Sequence, residues 1–303
     1  MDKVINILKP TGMTSHDVVS AVRKILNTKK VGHTGTLDPD ASGVLPICVG
    51  KATKVSEFIL NKDKEYLCEM TLGISTDTYD SSGTILNRSK DIYFDIDDIE
   101  KAFDKQRGEI EQFPPVYSAL KVNGKRMCDL VRSGREDEIV LKSRKVNIKN
   151  LDILRFEKNK VVFKVECSKG TYVRSICHDI GEELGCGAHM SLLIRTSSGM
   201  FKLEDSITLE ELHSRYNDGT LEGHLNNGDI DFVLREYKYI LLNDNALKYY
   251  TNGGAIDERR FLKSDYSKED EFVRVYGKDG FLGIGKLTRS NNITTVKSVK
   301  MFV

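Results

Sequence analysis

Periods of two and of about four apolar residues follow one another along this chain without the regular strand–helix–strand alternation of a doubly wound parallel sheet. Tyr66, Cys68, Met70 and Leu72 alternate with polar neighbours, the mark of a half-buried strand. Val4–Leu8 predicts a short strand closed by the turn Lys9-Pro10-Thr11-Gly12, and further strands are predicted at 146–156 and 161–167. Between them lie helical stripes. One runs through Val18, Val19, Val22, Ile25 and Leu26 behind a cap at Thr14 or Ser15, with Asp17 in its first turn. A second follows Thr171 through Val173, Ile176, Cys177, Ile180 and Leu184 and stops at Gly185. Residues 53–60 predict a short helix, 44–49 a buried strand and 31–43 a loop. No Gly-x-Gly-x-x-Gly or P-loop occurs. The expected fold is α+β, a mostly antiparallel mixed sheet flanked by helices. Short strands separated by Asn252-Gly253-Gly254, Lys278-Asp279-Gly280 and Ser290-Asn291-Asn292 predict a small β-rich C-terminal domain. The division expected is 1–236 and 237–303.

At 303 residues the chain has room for both parts. Its 39% hydrophobic and 30% charged residues describe a globular protein. No apolar run nears the roughly 20 residues of a membrane helix, and the N-terminus is no secretory signal, so a cytoplasmic protein is expected. The six cysteines form no Cys-x-x-Cys pair, and Cys68 and Cys167 sit in strand-like runs as ordinary buried thiols. Cys186 and His189 make only half a metal site, so no metal is expected. The net charge of +1 conceals blocks: local charges are +5 over 117–150, −7 over 203–236 and +4 over 237–303. Each block alone reads as a solvated surface. Together they suit a protein with one face turned to a polyanion.

The chemistry concentrates in residues 30–46, KVGHTGTLDPDASGVLP. Three glycines and Pro39 shape a loop of small residues around the carboxylate of Asp38. Glycines let backbone approach a ligand, and proline restricts its own φ and the residue before it. An ordinary turn with Asp38 bonded to nearby amides fits the same residues.

This segment resembles the G-H-x-G-x-L-D-P-x-A-x-G-x-L-P signature of the TruB family, tRNA pseudouridine synthases acting on the T-loop uridine at position 55. Five further blocks resemble the family in the same order: Lys9–Ser15, Lys64–Gly83, Gln112–Lys121, Gly170–Ser175 and Gly187–Thr196. Six ordered blocks spanning residues 6–200 are far more specific than one motif.

The resemblance implies a pseudouridine-synthase-type fold and a reaction in which the N1–C1′ bond breaks, the base turns and C5 bonds to C1′. Atoms and oxidation state are unchanged, so no cofactor is expected. Asp38 falls on the family's catalytic aspartate; attack at C1′, attack at C6 and support of a glycal route all remain open. Arg174 falls on the arginine that pairs with it, a role that differs from a surface ion pair of about 0–1 kcal/mol. Tyr66 matches the aromatic that stacks on the target uracil, and Tyr172 and Leu193 match pocket-lining residues. Tyr66 and Leu193 also fit apolar faces, where core packing is the plainer role. His33 matches a histidine that takes the flipped base's place in the T-loop stack. Lys9 and Lys64 are expected to meet phosphates or to order the site. The stretch 113–150 falls where the family carries a thumb-like RNA-gripping insertion, so Lys121, Lys125 and Arg126 are candidate RNA contacts. The C-terminal part is similar in place and size to a PUA-like RNA-binding domain. The expected partner is the tRNA T-arm, without guide RNA or membrane, and the chain is expected to act as a monomer. An RNA-binding folding factor independent of catalysis is the alternative, as is a nucleoside or sugar-phosphate enzyme with a small substrate. Asp38 speaks against the first and the basic block against the second.

Overall fold

The computed structural model describes residues 1–302 apart from 91, 123, 226, 227, 268, 269 and 291. Among the described residues, nine strands form one sheet whose main path runs Val4–Lys9, Ser42–Val49, Ala188–Ser198, Lys64–Leu72, Lys160–Cys167, Arg144–Glu157, Gly108–Gln112. Its strand pairs are antiparallel except one, Ser42–Val49 against Ala188–Ser198, where Ile194 stands opposite Ser42 and Arg195 opposite Gly43. The α+β class and the mixed central sheet are those expected.

Two of the helices that cover this sheet bring the site together. In Ser15–Ile25, Thr14 is the cap: its hydroxyl accepts from the Asp17 N–H at 3.1 Å, and the Asp17 carboxylate accepts from the Thr14 N–H at 2.9 Å. Such a capping box satisfies two end donors that would otherwise lack partners. Val18, Val19 and Val22 then pack on Ile5, Ile7, Leu45 and Ile47, each burial stabilising by about 1.5–3 kcal/mol. The helix Val173–Glu183 buries Val173, Ile176, Cys177 and Ile180 with Cys68, Met70 and Phe163 at the other half of the sheet.

The segment 31–43 differs from the loop expected of it. Val31–His33 is a strand paired with Ile47–Val49, too short for any period to show, and the following strand starts at Ser42 rather than at 44. The C-terminal part holds a six-stranded sheet among the described residues, from Tyr239–Leu242 to Ile293–Met301. Asn252–Gly253 does not separate two strands there. It ends the helix Asp244–Thr251, which Asn243 caps by accepting the Ala246 N–H at 2.8 Å. Gly280 turns as expected at φ +119°, whereas Asn291 lies outside the described residues. Ile284, Phe272, Phe281 and Phe302 pack onto Val4, Phe58, Ile230 and Leu234, which joins the two sheets through apolar contact. Among the described residues no helix is long and apolar enough to cross a membrane.

Candidate active site

The Asp38 loop is held from below and from both ends. Lys9, fully buried at the end of the first strand, donates from Nζ to the carbonyls of Pro10 at 2.7 Å, Met13 at 2.6 Å and Pro39 at 3.1 Å. Burial pushes its ammonium down to about 8, against the pull of Asp38 and Asp40. Ser15 Oγ accepts the Leu37 N–H at 2.8 Å. Gly43 takes φ +112°, and a Cβ there would stand 2.2 Å from the Arg195 carbonyl. Only glycine lets the loop re-enter the sheet that close.

Arg174 meets the loop from the first turn of its helix. Its Nη2 donates to Asp38 Oδ1 at 3.1 Å, and its Nε lies 3.0 Å from Oδ2, poorly aligned for a second hydrogen bond. The guanidinium also donates to the carbonyls of Thr78 at 3.0 Å and Tyr117 at 3.1 Å. Its Nη1 stands 3.3 Å from Asp80 Oδ2. Asp80 is held in turn, its Oδ1 accepting from Thr78 Oγ1 at 2.7 Å and from Ser82 Oγ at 2.6 Å. The preceding Tyr79 adopts φ +63°, with its ring stacked 3.9 Å from that of His178. One arginine therefore serves two carboxylates. Burial away from water pushes the Asp38 carboxyl above the ordinary range, and Arg174 pulls it back while Asp80 and Asp40 add to the rise. Asp38 keeps 36% of its side chain open to the cleft, with the Arg174 guanidinium against it to favour its charged form.

Beside Asp38 opens a cleft of about 310 Å³ lined by Tyr66, Tyr172, Leu193, Lys64 and Arg195 together with Gly35–Leu37. Tyr66 and Leu193 lie on adjacent strands, buried yet facing this space, so core packing and pocket lining are one arrangement here. Burial raises the Tyr66 phenol, and the charge of Arg195 opposes the rise. Tyr172 stands just before its helix and exchanges two hydrogen bonds with the buried Gln112: its N–H donates to Oε1 at 2.8 Å and its carbonyl accepts from Nε2 at 3.1 Å. The Arg144 guanidinium covers the Tyr172 ring at 5.0 Å.

The other expected residues are placed differently. His33 does not line the cleft; its Nδ1 accepts the Gly35 N–H at 3.4 Å, and burial with nearby Arg195 lowers its pKa. Lys64 is buried, donates to the carbonyls of Leu60 and Lys62, and is pushed down to about 8. Three carbonyls take up the Lys9 ammonium, whereas Lys64 bonds two and also lines the cleft. Lys121 and Lys125 are exposed on the hairpin that leaves the cleft at Ala119 and Leu120, and neither has an ion pair among the described residues. Arg126 instead pairs with Asp129, Nε to Oδ2 at 2.7 Å. Among the described residues no group of three or more His, Cys, Asp and Glu could hold a metal. His189 Nδ1 lies 2.9 Å from the Ile74 carbonyl and the Cys186 thiol donates to Gly187.

Asp80, Gln112 and Arg195 belong to the site although the sequence reading assigned them no role. Each lies inside a block quoted above, so the signal was present but carried no chemistry of its own.

The fold is that of the pseudouridine synthases. It superimposes on "Structure of H/ACA RNP bound to a substrate RNA containing 2'-deoxyuridine" with TM-score 0.76 and 29% identity, over 99% of this chain and 85% of that one. "Crystal Structure of a Cbf5-Nop10-Gar1 Complex" gives TM-score 0.74 and 31% identity, over 99% and 83%. The chain belongs to the TruB family. The TruB family pseudouridylate synthase (N terminal domain) model matches residues 23–173, and the tRNA pseudouridylate synthase B C-terminal domain model matches 174–236. The tRNA pseudouridine synthase B of Clostridioides difficile (strain 630) is 70% identical over the full length of both chains. The protein of that description from Clostridium kluyveri is 47% identical, again over both full lengths.

Proposed function

We propose that this chain is a tRNA pseudouridine synthase, an isomerase that converts the T-loop uridine at position 55 to pseudouridine with Asp38 as its carboxylate. The observation that carries this reading is the carboxylate of Asp38, fixed by Arg174 at the edge of a cleft walled by Tyr66 and Leu193. A cleft of about 310 Å³ suits one nucleoside, not a folded RNA, so the uridine must leave its stack to enter. An irregular RNA loop releases a base at lower cost than a duplex does. Inside, Tyr66 offers a ring face to the uracil, and Asp38 acts on the sugar or the base as N1–C1′ breaks and C5–C1′ forms.

The exposed Lys121 and Lys125 stand at the cleft mouth, where the phosphates flanking a flipped nucleotide would run. Residues 113–150 in this reading grip the T-arm, and the unit from 237 onward adds a PUA-like RNA surface. The chain works alone as a monomer on the cytoplasmic tRNA pool, without guide RNA. An unmodified tRNA transcript incubated with the protein tests the proposal. The uridine at 55 should become carbodiimide-labelable with no change in mass; modification elsewhere, or none, would overturn it.

A further inference from the structure

Arg195 is among the largest fully buried side chains of the protein, with 1% of its surface exposed, yet no carboxylate pairs with it among the described residues. Its Nε donates to the Val44 carbonyl at 2.7 Å and its Nη2 to the Gly35 carbonyl at 3.2 Å. It stands directly across the strand pair from Tyr66 and lines the cleft beside it. Two neutral carbonyls do not cancel a guanidinium, and a charge buried without a counter-ion is costly. Lys64, also buried and also on carbonyls, stands close enough for the two cations to repel. Asp38 and Asp80 are meanwhile engaged by Arg174. The Tyr66 side of the cleft is thus positive before any substrate arrives.

We propose that Arg195 is a further catalytic residue, the counter-charge for the uracil ring when its bond to the sugar breaks. This rests on the functional reading above. When N1–C1′ cleaves, the bonding electron pair stays with N1 and spreads onto O2 and O4 while C1′ is left electron-deficient, so the detached base is an anion until C5 gives an electron pair to C1′; the C5 proton then leaves and N1 gains one. A fixed guanidinium that is itself walled off from bulk water stabilises that charge where it develops and needs no reorganisation to do so. Holding Gly35 and Val44 is the structural role that the same side chain would fill without this chemistry.

The two roles separate on a substrate whose leaving base is a better anion. Single-turnover loss of the target nucleoside is measured with uridine and with 5-fluorouridine at the target position of the tRNA, for wild type, Arg195→Met and Arg195→Lys. Fluorine withdraws electrons from the ring and supplies part of what the guanidinium would. Arg195→Met should slow uridine by about 100- to 1000-fold, the scale of one lost donor to a developing anion, and 5-fluorouridine at least about 10-fold less. Arg195→Lys keeps the charge and should retain an intermediate rate if the methionine variant does not fold. Equal slowing of both substrates in whichever variant folds would show that Arg195 only ties the loop, and would overturn the inference alone. A wild-type protein that leaves uridine unchanged would overturn the functional reading and this inference with it.

Discussion

Asp38 and Arg174 face each other across 136 residues of sequence, Oδ1 to Nη2 at 3.1 Å and Oδ2 to Nε at 3.0 Å. The arginine is 5% exposed and its remaining donors are taken by the carbonyls of Thr78 and Tyr117 and by Asp80. The guanidinium plane is therefore fixed, and the carboxylate with it. Arg174→Lys should lose this, because an ammonium on a flexible stem cannot reach both carboxylates and both carbonyls at once. Misplacing a reacting group by about 1 Å costs on the order of 100-fold. The loss should fall on the single-turnover rate with tRNA affinity nearly unchanged; weakened binding with unimpaired chemistry would mark Arg174 as a phosphate contact instead.

The same pair sets a pH dependence. In the function proposed above Asp38 acts as the anion, and its surroundings raise it above the ordinary carboxylate value of 3.8. The single-turnover rate should accordingly fall as pH drops through a midpoint above about 4, and that midpoint should move further up in Arg174→Lys if the misplaced ammonium pulls less. A limb at or below the ordinary value would mean that the cleft does not desolvate Asp38.

Neutralising Lys121, Lys125 and Arg126 together should weaken tRNA binding and flatten its salt dependence. Each lost phosphate contact lowers the log–log slope by roughly 0.7–0.9. Because Arg126 is already paired with Asp129, the drop should be nearer two contacts than three, about 1.4–1.8. An unchanged slope would place the hairpin away from the RNA.

Lys9→Met should destabilise the protein and slow the reaction together. It strips a donor from the carbonyls of Pro10, Met13 and Pro39, and one buried polar group left without its partner costs about 1–3 kcal/mol. Thermal unfolding and the bound-state rate read the two effects. A variant of normal stability and normal rate would show that the Asp38 loop holds its shape without the ammonium.

What could be read in advance follows from where each residue finds its partners. The Asp38 loop announces itself through glycines and Pro39, whose backbone demands are local. The helices at Thr14 and after Thr171 carry their stripes, and the first of them its cap, within a few residues. Arg195 does not, because its partners are carbonyls 151 and 160 residues away, and any residue offers a carbonyl. For Lys9 the sequence left phosphate contact and ordering of the site both open: Pro10 and Met13 are its near neighbours, but nothing there names Pro39 as an acceptor. The Arg126–Asp129 pair was not legible, because no helix is expected there; the helix Met127–Arg132 is what turns these charges, three apart, toward each other.

The claim that Asp38 carries the reaction is tested most directly by Asp38→Asn, which keeps the size and polarity of the side chain and removes its charge. Carbodiimide mapping of the T-loop uridine under single turnover, with tRNA saturating and its dissociation constant measured alongside, gives the answer in one variant. The account predicts no pseudouridine with affinity within a few-fold of wild type. Appreciable conversion by the asparagine variant would contradict it.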